Sequence, residues 1–197
     1  MRHAEEALRR KVKDEIRQRM RQVRKALPAA AREERSARIH AALFARDEWK
    51  RAEVVMLFAS MRTEVDTRGM ERRARAEGKT VLCPRLSEDQ QEIEPRVWEE
   101  GVAPFEQGRL APEPPPDAPA FDPARIDLVV VPALAVDPRG ARIGYGKGFY
   151  DRLLARLPAR RVAVAFDFQL IAEVPETEGD ERVNAIVTDQ RVLEVDA

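Results

Sequence analysis

Residues 127–152 read DLVVVPALAVDPRGARIGYGKGFYDR. The first eleven, 127–137, are almost wholly apolar, with no polar residue between the flanking aspartates. That is the pattern of a strand covered on both faces. Glycines follow at 140, 144, 146 and 148, and a helix pattern runs from Phe149 to Leu157, closed by Pro158. Glycine lets a backbone approach a ligand and take positive φ. A helix N-terminus offers unpaired N–H groups and the positive end of a dipole, which together suit phosphate. Arg142 and Lys147 add cationic side chains to the loop, and Asp151, just inside the helix, has the chemistry to hold a magnesium ion. The stretch is neither G-x-x-x-x-G-K-[ST] nor a G-x-G-x-x-G after the first strand. Its residues suit a phosphate cradle, and a purely structural glycine turn is the alternative.

Outward from this stretch, VVMLFAS (54–60), TVLCP (80–84) and RVAVAF (161–166) are three further buried strands. Between residues 4 and 26, Ala7, Leu8, Val12, Ile16, Met20 and Val23 recur at three- and four-residue steps, an amphipathic helix that Pro28 ends. A second helix runs from after Pro28 to about Arg46, with Ile39, Leu43 and Phe44 inward. A third spans Thr67 to Glu77, before Gly78. Strands spaced by helices predict an α/β fold: three layers, Rossmann-like, a largely parallel sheet with helices on both faces. Ten of the fourteen prolines fall between Pro95 and Pro138. The stretch PEPPPDAP (112–119) reads as extended and polyproline-like, within a surface loop of about 95–125 in a single domain covering 1–197.

Lys and Arg number 35, as do Asp and Glu, so formal net charge is zero although 36% of residues are charged. A whole-chain polyanion binder needs a positive excess, so nucleic acid is not an expected partner. A hydrophobic share of 44% argues for a real core rather than disorder. No run reaches the ~18 apolar residues of a membrane span. MRHAEEALRRKVKDE has no apolar stretch of a secretory signal, and the lone Cys83 cannot form an internal disulfide. These features predict a cytoplasmic chain, with Cys83 as a small core residue. Two histidines, His3 and His40, argue against a zinc site. The zero sum is uneven along the chain: residues 1–25 hold ten Lys/Arg against four acids, an excess of six.

With these features in hand, the chain resembles the 5-formyltetrahydrofolate cyclo-ligase (methenyltetrahydrofolate synthetase) family. VVVPALAVDPRGARIGYGKGFYDR is similar to the family's P-x-L/V-A-F-D-x-x-G-x-R-L-G-x-G-x-G-Y-Y-D. Lys13 and Arg17, with Arg24 seven further on, resemble its K-x-x-x-R helix. SMRTEVDT (60–67) is similar to its S-x-x-x-E-[IV]-[DE]-T, and AVAFDFQLIAEVPETEGDERVNAIVTD (163–189) to its C-terminal stretch. The resemblance implies ATP- and magnesium-dependent closure of 5-formyltetrahydrofolate to 5,10-methenyltetrahydrofolate, with release of ADP and phosphate. It implies ATP binding by Lys13, Arg17, Arg142, Gly144, Tyr145, Gly146, Lys147, Gly148, Phe149 and Tyr150. For the reduced folate it implies Ala59, Glu64, Tyr145, Phe149 and Tyr150, with Glu64 accepting from the donor-rich pterin. Lys147, Arg142 and Tyr150 become the catalytic candidates, and Asp151 and Asp180 the metal ligands, with Glu176, Glu178 and Glu181 as neighbouring alternatives to Asp180.

The chain departs from the pattern at Phe149, where a tyrosine is usual, at Val136, where phenylalanine is common, and at Gly179, where the family often has histidine. Two rival readings stand beside the enzyme. One is a non-catalytic folate- or nucleotide-binding relative with a regulatory role. The other, from fold analogy alone, is a sugar-phosphate isomerase. A monomer is expected.

Overall fold

The computed structural model describes residues 2–101 and 112–195. Three helices lead, α1 (Arg2–Ala26), α2 (Ala29–Phe44) and α3 (Asp47–Arg51). They are followed by β1 (Val54–Met56), α4 (Arg68–Ala76), β2 (Thr80–Leu86) and β3 (Ile93–Val97). Then come β4 (Leu128–Pro132), β5 (Ala135–Val136), β6 (Arg142–Ile143), α5 (Phe149–Leu154), β7 (Arg160–Val164), β8 (Ala185–Val187) and β9 (Val192–Glu194).

One sheet of seven strands has the order β3-β2-β1-β4-β7-β8-β9. Its five central strands run parallel, and β3 and β9 pair antiparallel at the two edges. Strand side chains alternate between faces, and the core divides accordingly. Val55, Leu128, Val130, Val162 and Val164 face α2, α3 and α4, meeting Ile39, Leu43, Trp49 and Met70. Met56, Val129, Val131, Ala163 and Ile186 face α5, meeting Leu153 and Leu154. Each large apolar side chain so covered contributes about 1.5–3 kcal/mol. The expected three-layer α/β architecture is present.

Residues 127–137 do not form the single expected strand. Pro132 ends β4, and the chain turns into the β5–β6 hairpin, where Ala135 pairs with Ile143 and Val136 with Arg142. Asp137 makes that turn, accepting N–H bonds from Arg139 and Ala141 at 2.9 and 3.1 Å. An apolar run specifies burial but not where a carboxylate will fold the chain back. The hairpin carries its own small core, in which Met20 of α1 packs against Leu134, Ala135, Ile143 and Val174.

The proline-rich stretch also differs from a free surface loop. Its C-terminal part lines up along β3: Val97 donates to the Pro119 carbonyl at 2.8 Å and Phe121 to that of Pro95 at 3.0 Å. Edge pairing of this kind suits prolines, which lack the N–H of an interior strand. Residues 102–111 of the expected loop lie outside the described residues. Among the described residues no helix is long and apolar enough to cross a membrane.

Candidate active site

Strand order places the site. From β1 the chain builds outward to β2 and β3, and from β4 it builds the other way to β7, β8 and β9, so the order reverses between β1 and β4. In open α/β sheets ligands bind beyond the carboxyl ends of the strands at such a reversal. The loop after β1 carries Ala59 and Glu64, and the segment after β4 carries the hairpin and the glycine loop. A groove of about 400 Å³ lined by Asp47, Arg51, Asp127 and Arg160 lies at the opposite, amino-terminal ends of the strands. There Asp127 is already taken by the N–H groups of Glu53 and Val54, both at 2.9 Å.

The β1 loop is tied by side-chain hydroxyls. Thr67 donates to the Phe58 carbonyl at 2.6 Å, and Ser60 and Thr67 each accept from the other's N–H at 3.2 Å. This brings Glu64 inward until only 6% of it is exposed. Its Oε2 accepts from the Met61 N–H at 2.8 Å, and its Oε1 from the Tyr145 hydroxyl at 2.5 Å. Burial pushes the Glu64 carboxyl above the usual range, against the opposing pull of Tyr145, Arg24 and the Met61 N–H. Burial likewise raises the Tyr145 phenol, with the Glu64 charge adding to it. Ala59, expected at the folate, has its side chain in the apolar cluster under α2 and α4.

The glycine loop is shaped around two arginines. Gly146 has φ +96°, and a Cβ there would lie 3.2 Å from the Arg17 guanidinium carbon. Gly148, with φ +67°, caps α5, and a Cβ there would lie 3.0 Å from Arg152 Nη1. Arg17 Nε donates to the Gly144 carbonyl at 3.0 Å, fastening α1 to the loop. The Lys147 side chain is exposed and has no partner among the described residues. Phe149 packs on the α5-side core with the Arg152 guanidinium 5.2 Å from its ring. The Tyr150 ring lies 5.7 Å from the Arg142 guanidinium, and its buried hydroxyl has no partner among the described residues. Burial, then Cys83 and Glu64, push that hydroxyl's pKa up.

The expected phosphate cations and metal acids meet one another. Arg142 donates to Asp151 Oδ1 at 2.8 Å, and Lys13 forms a short ion pair with Asp180. Burial lowers the Arg142 pKa, with Asp151 opposing. Thr177, absent from the sequence expectations, organises the second pair: its N–H donates to Asp180 at 2.7 Å and its hydroxyl accepts from Lys13 at 2.8 Å. Of the alternative acids, Glu176 pairs with Arg182 and Glu181 with Arg161. Among the described residues no group of three or more His, Cys, Asp or Glu forms an all-protein metal cage. Magnesium held through one or two carboxylates, phosphate oxygens and water needs no cage. Asp151 fits that requirement, with Oδ1 engaged and Oδ2 without a partner among the described residues. Both oxygens of Asp180 are engaged.

Sequence reading gave Arg24 a place in a motif but no role in the site. It is 3% exposed on α1, donates to the Tyr145 hydroxyl at 2.8 Å and to Thr63 Oγ1 at 3.0 Å, and lies 3.8 Å from Glu64. The available signal was spacing: Lys13, Met20 and Arg24 share the buried side of the helix, and an arginine there must have a polar destination.

The family model described as the 5-formyltetrahydrofolate cyclo-ligase family matches residues 9–189. The chain belongs to this family. A relative from Mycolicibacterium smegmatis named 5-formyltetrahydrofolate cyclo-ligase is 44% identical over 80 residues, which span 40% of this chain and 41% of that protein. A mouse protein of the same name is 25% identical over 193 residues, covering 88% of this chain and 89% of its own. The NMR structure of an Aquifex aeolicus 5,10-methenyltetrahydrofolate synthetase superimposes with a TM-score of 0.82 at 27% identity, covering 94% of each chain. Membership in the cyclo-ligase family thus extends over the site just described, from Lys13 in α1 to Asp180 before β8.

Proposed function

We propose that the protein converts 5-formyltetrahydrofolate to 5,10-methenyltetrahydrofolate with consumption of ATP. The observation that carries this reading is the contact between the Glu64 carboxylate and the glycine loop through Tyr145, at the point where the strand order reverses. In the proposed reaction the formyl oxygen accepts the γ-phosphoryl group, N10 attacks the activated formyl carbon, and the oxygen leaves as phosphate. Such a transfer asks the protein for orientation and charge rather than a covalent nucleophile.

Glu64 presents acceptor oxygens to the paired N–H donors of the pterin. Tyr145, Phe149 and Tyr150 line the folate side, and the Tyr150 hydroxyl, buried and without a partner among the described residues, is a donor for the reacting formyl group or its neighbours. Arg142 and Lys147, with the amides of the glycine loop, face the phosphates, supported by Lys13 and Arg17 from α1. Asp151, with Asp180 beside it, would hold magnesium, which supplies charge neutralisation on the phosphates.

Absorbance of methenyltetrahydrofolate should rise when the protein meets 5-formyltetrahydrofolate, ATP and magnesium, and only with all three. No ATP-dependent product would overturn the proposal. In Lys147→Ala the KM for ATP should rise about tenfold, the scale of one charge-assisted contact, with the KM for folate little changed. The fold should remain intact, because the Lys147 side chain is exposed.

A further inference from the structure

Four residues from three segments converge on one buried point. Arg24 comes from α1, Met61 and Glu64 from the β1 loop, and Tyr145 from the glycine loop. The direction of each hydrogen bond follows from chemistry. Arginine can only donate, so Arg24 Nη2 gives its proton to the Tyr145 oxygen at 2.8 Å. The Tyr145 hydroxyl then directs its own proton to Glu64 Oε1, 2.5 Å away. A protonated Glu64 turning its O–H to Tyr145 would require the phenolic proton to rotate away from Glu64 and would lose the donor that now serves Oε1. The donors from Arg24, Tyr145 and Met61 thus favour the carboxylate form, against the burial that favours the acid.

We propose that Arg24 is the positioning residue of the folate site, fixing Glu64 through Tyr145 as an oriented, ionised acceptor. The proposal rests on the reading that Glu64 receives the pterin donors. Stability alone accounts poorly for Arg24. It is 3% exposed, its Nε has no partner among the described residues, and a buried ion pair is often replaceable by apolar side chains without loss. Its position makes sense when the state of Glu64 matters. The charged and titratable groups facing that carboxylate are Arg24 from α1 and Tyr145 from the loop, with Tyr150 of α5 within electrostatic reach. Arg24 is the one cation among these three.

The test uses Arg24→Gln, Arg24→Lys and Tyr145→Phe in the full chain, with circular dichroism to establish folding. Carbon-13 NMR of the Glu64 side-chain carboxyl, assigned with Glu64→Gln, reads its titration in the protein without ligand. The midpoint should rise by about one pH unit or more in Arg24→Gln, rise also in Tyr145→Phe, and return toward wild type in Arg24→Lys. The KM for 5-formyltetrahydrofolate at neutral pH should rise about tenfold in Arg24→Gln and recover as pH is raised, while the KM for ATP stays within about twofold. Should Arg24→Gln fail to fold, Tyr145→Phe, which removes one oxygen, must still move the Glu64 midpoint and the folate KM in the same direction. An unmoved midpoint, or a moved midpoint with an unmoved folate KM, overturns the proposal. A wild type that binds no 5-formyltetrahydrofolate overturns the functional reading as well. That failure is distinguishable because the carboxyl titration is read without ligand.

Discussion

Asp137 and Glu64 are both buried carboxylates, each just beyond one of the two strands at which the sheet order reverses, yet their surroundings act on them in opposite ways. Asp137, with no exposed side-chain surface, accepts from the N–H groups of Arg139, Ala141 and Val174 and from two guanidinium nitrogens of Arg139. Burial alone would raise its carboxyl, but these donors outweigh burial and hold it below the usual range. Glu64 accepts from one N–H and one hydroxyl, with a guanidinium nitrogen at 3.8 Å, and burial prevails. Both are closed to solvent, but Glu64 lies deeper in the protein and has fewer donors, and the two differences together decide the sign. A carboxylate has about four lone-pair sites. Asp137 has filled them and serves as a structural turn, while Glu64 retains acceptor capacity for a ligand.

Exchanging each acid for its amide should separate these roles. Asp137→Asn should destabilise the fold by about 3 kcal/mol, since an amide cannot accept from all five donors, as read by denaturant unfolding. Glu64→Gln should leave stability unchanged or raise it, while kcat/KM for the folate falls about 100-fold, the equivalent of ~2.8 kcal/mol. Comparable stability losses in the two variants would break the distinction.

The pH dependence of stability should sharpen it. Asp137 has a depressed folded pKa, so its contribution is present above the unfolded value of about 4 and is lost as pH falls through the folded value. Asp137→Asn should lose this part of the acid-unfolding profile. Glu64 has a raised folded pKa, so its contribution is present at low pH and is lost as pH rises through the folded value. Glu64→Gln should therefore gain on wild type from mildly acid pH upward, seen in unfolding curves collected across pH.

A smaller effect is expected at the loop joining the two regions. Gly148→Ala places a Cβ at φ +67° and 3.0 Å from Arg152 Nη1, costing about 1–2 kcal/mol. Arg152 also donates to the Lys147 carbonyl at 3.3 Å, so the KM for ATP should rise with the loss of stability. A variant as stable as wild type would mean that the loop tolerates another curvature.

Much of this was legible in the chain because its signals are local. The apolar runs at 54–60, 80–84 and 161–166 located three of the parallel strands, and the glycines after residue 139 marked the loop. Strands β8 and β9 were missed because each is three residues long without a longer apolar run around it, and β3 because IEPRV carries polar residues and a proline. The β5–β6 hairpin was missed because Asp137 reads as the end of an apolar run until its donors, including Val174 37 residues away, are in place. Lys13, Arg17, Arg142, Asp151 and Asp180 were recognisable as site candidates by motif. The pairing of Lys13 with Asp180 and of Arg142 with Asp151 was not.

By itself the sequence determined the layer architecture and the position of the glycine loop, because periodicity and backbone freedom are properties of neighbouring residues. Only the tertiary structure decided which charges meet, as with Lys13 and Asp180 across 167 positions. It also decided which buried carboxylate is saturated and which remains able to accept. Charge state in a low-dielectric interior depends on the number and direction of donors, and those arrive from segments that local sequence does not relate.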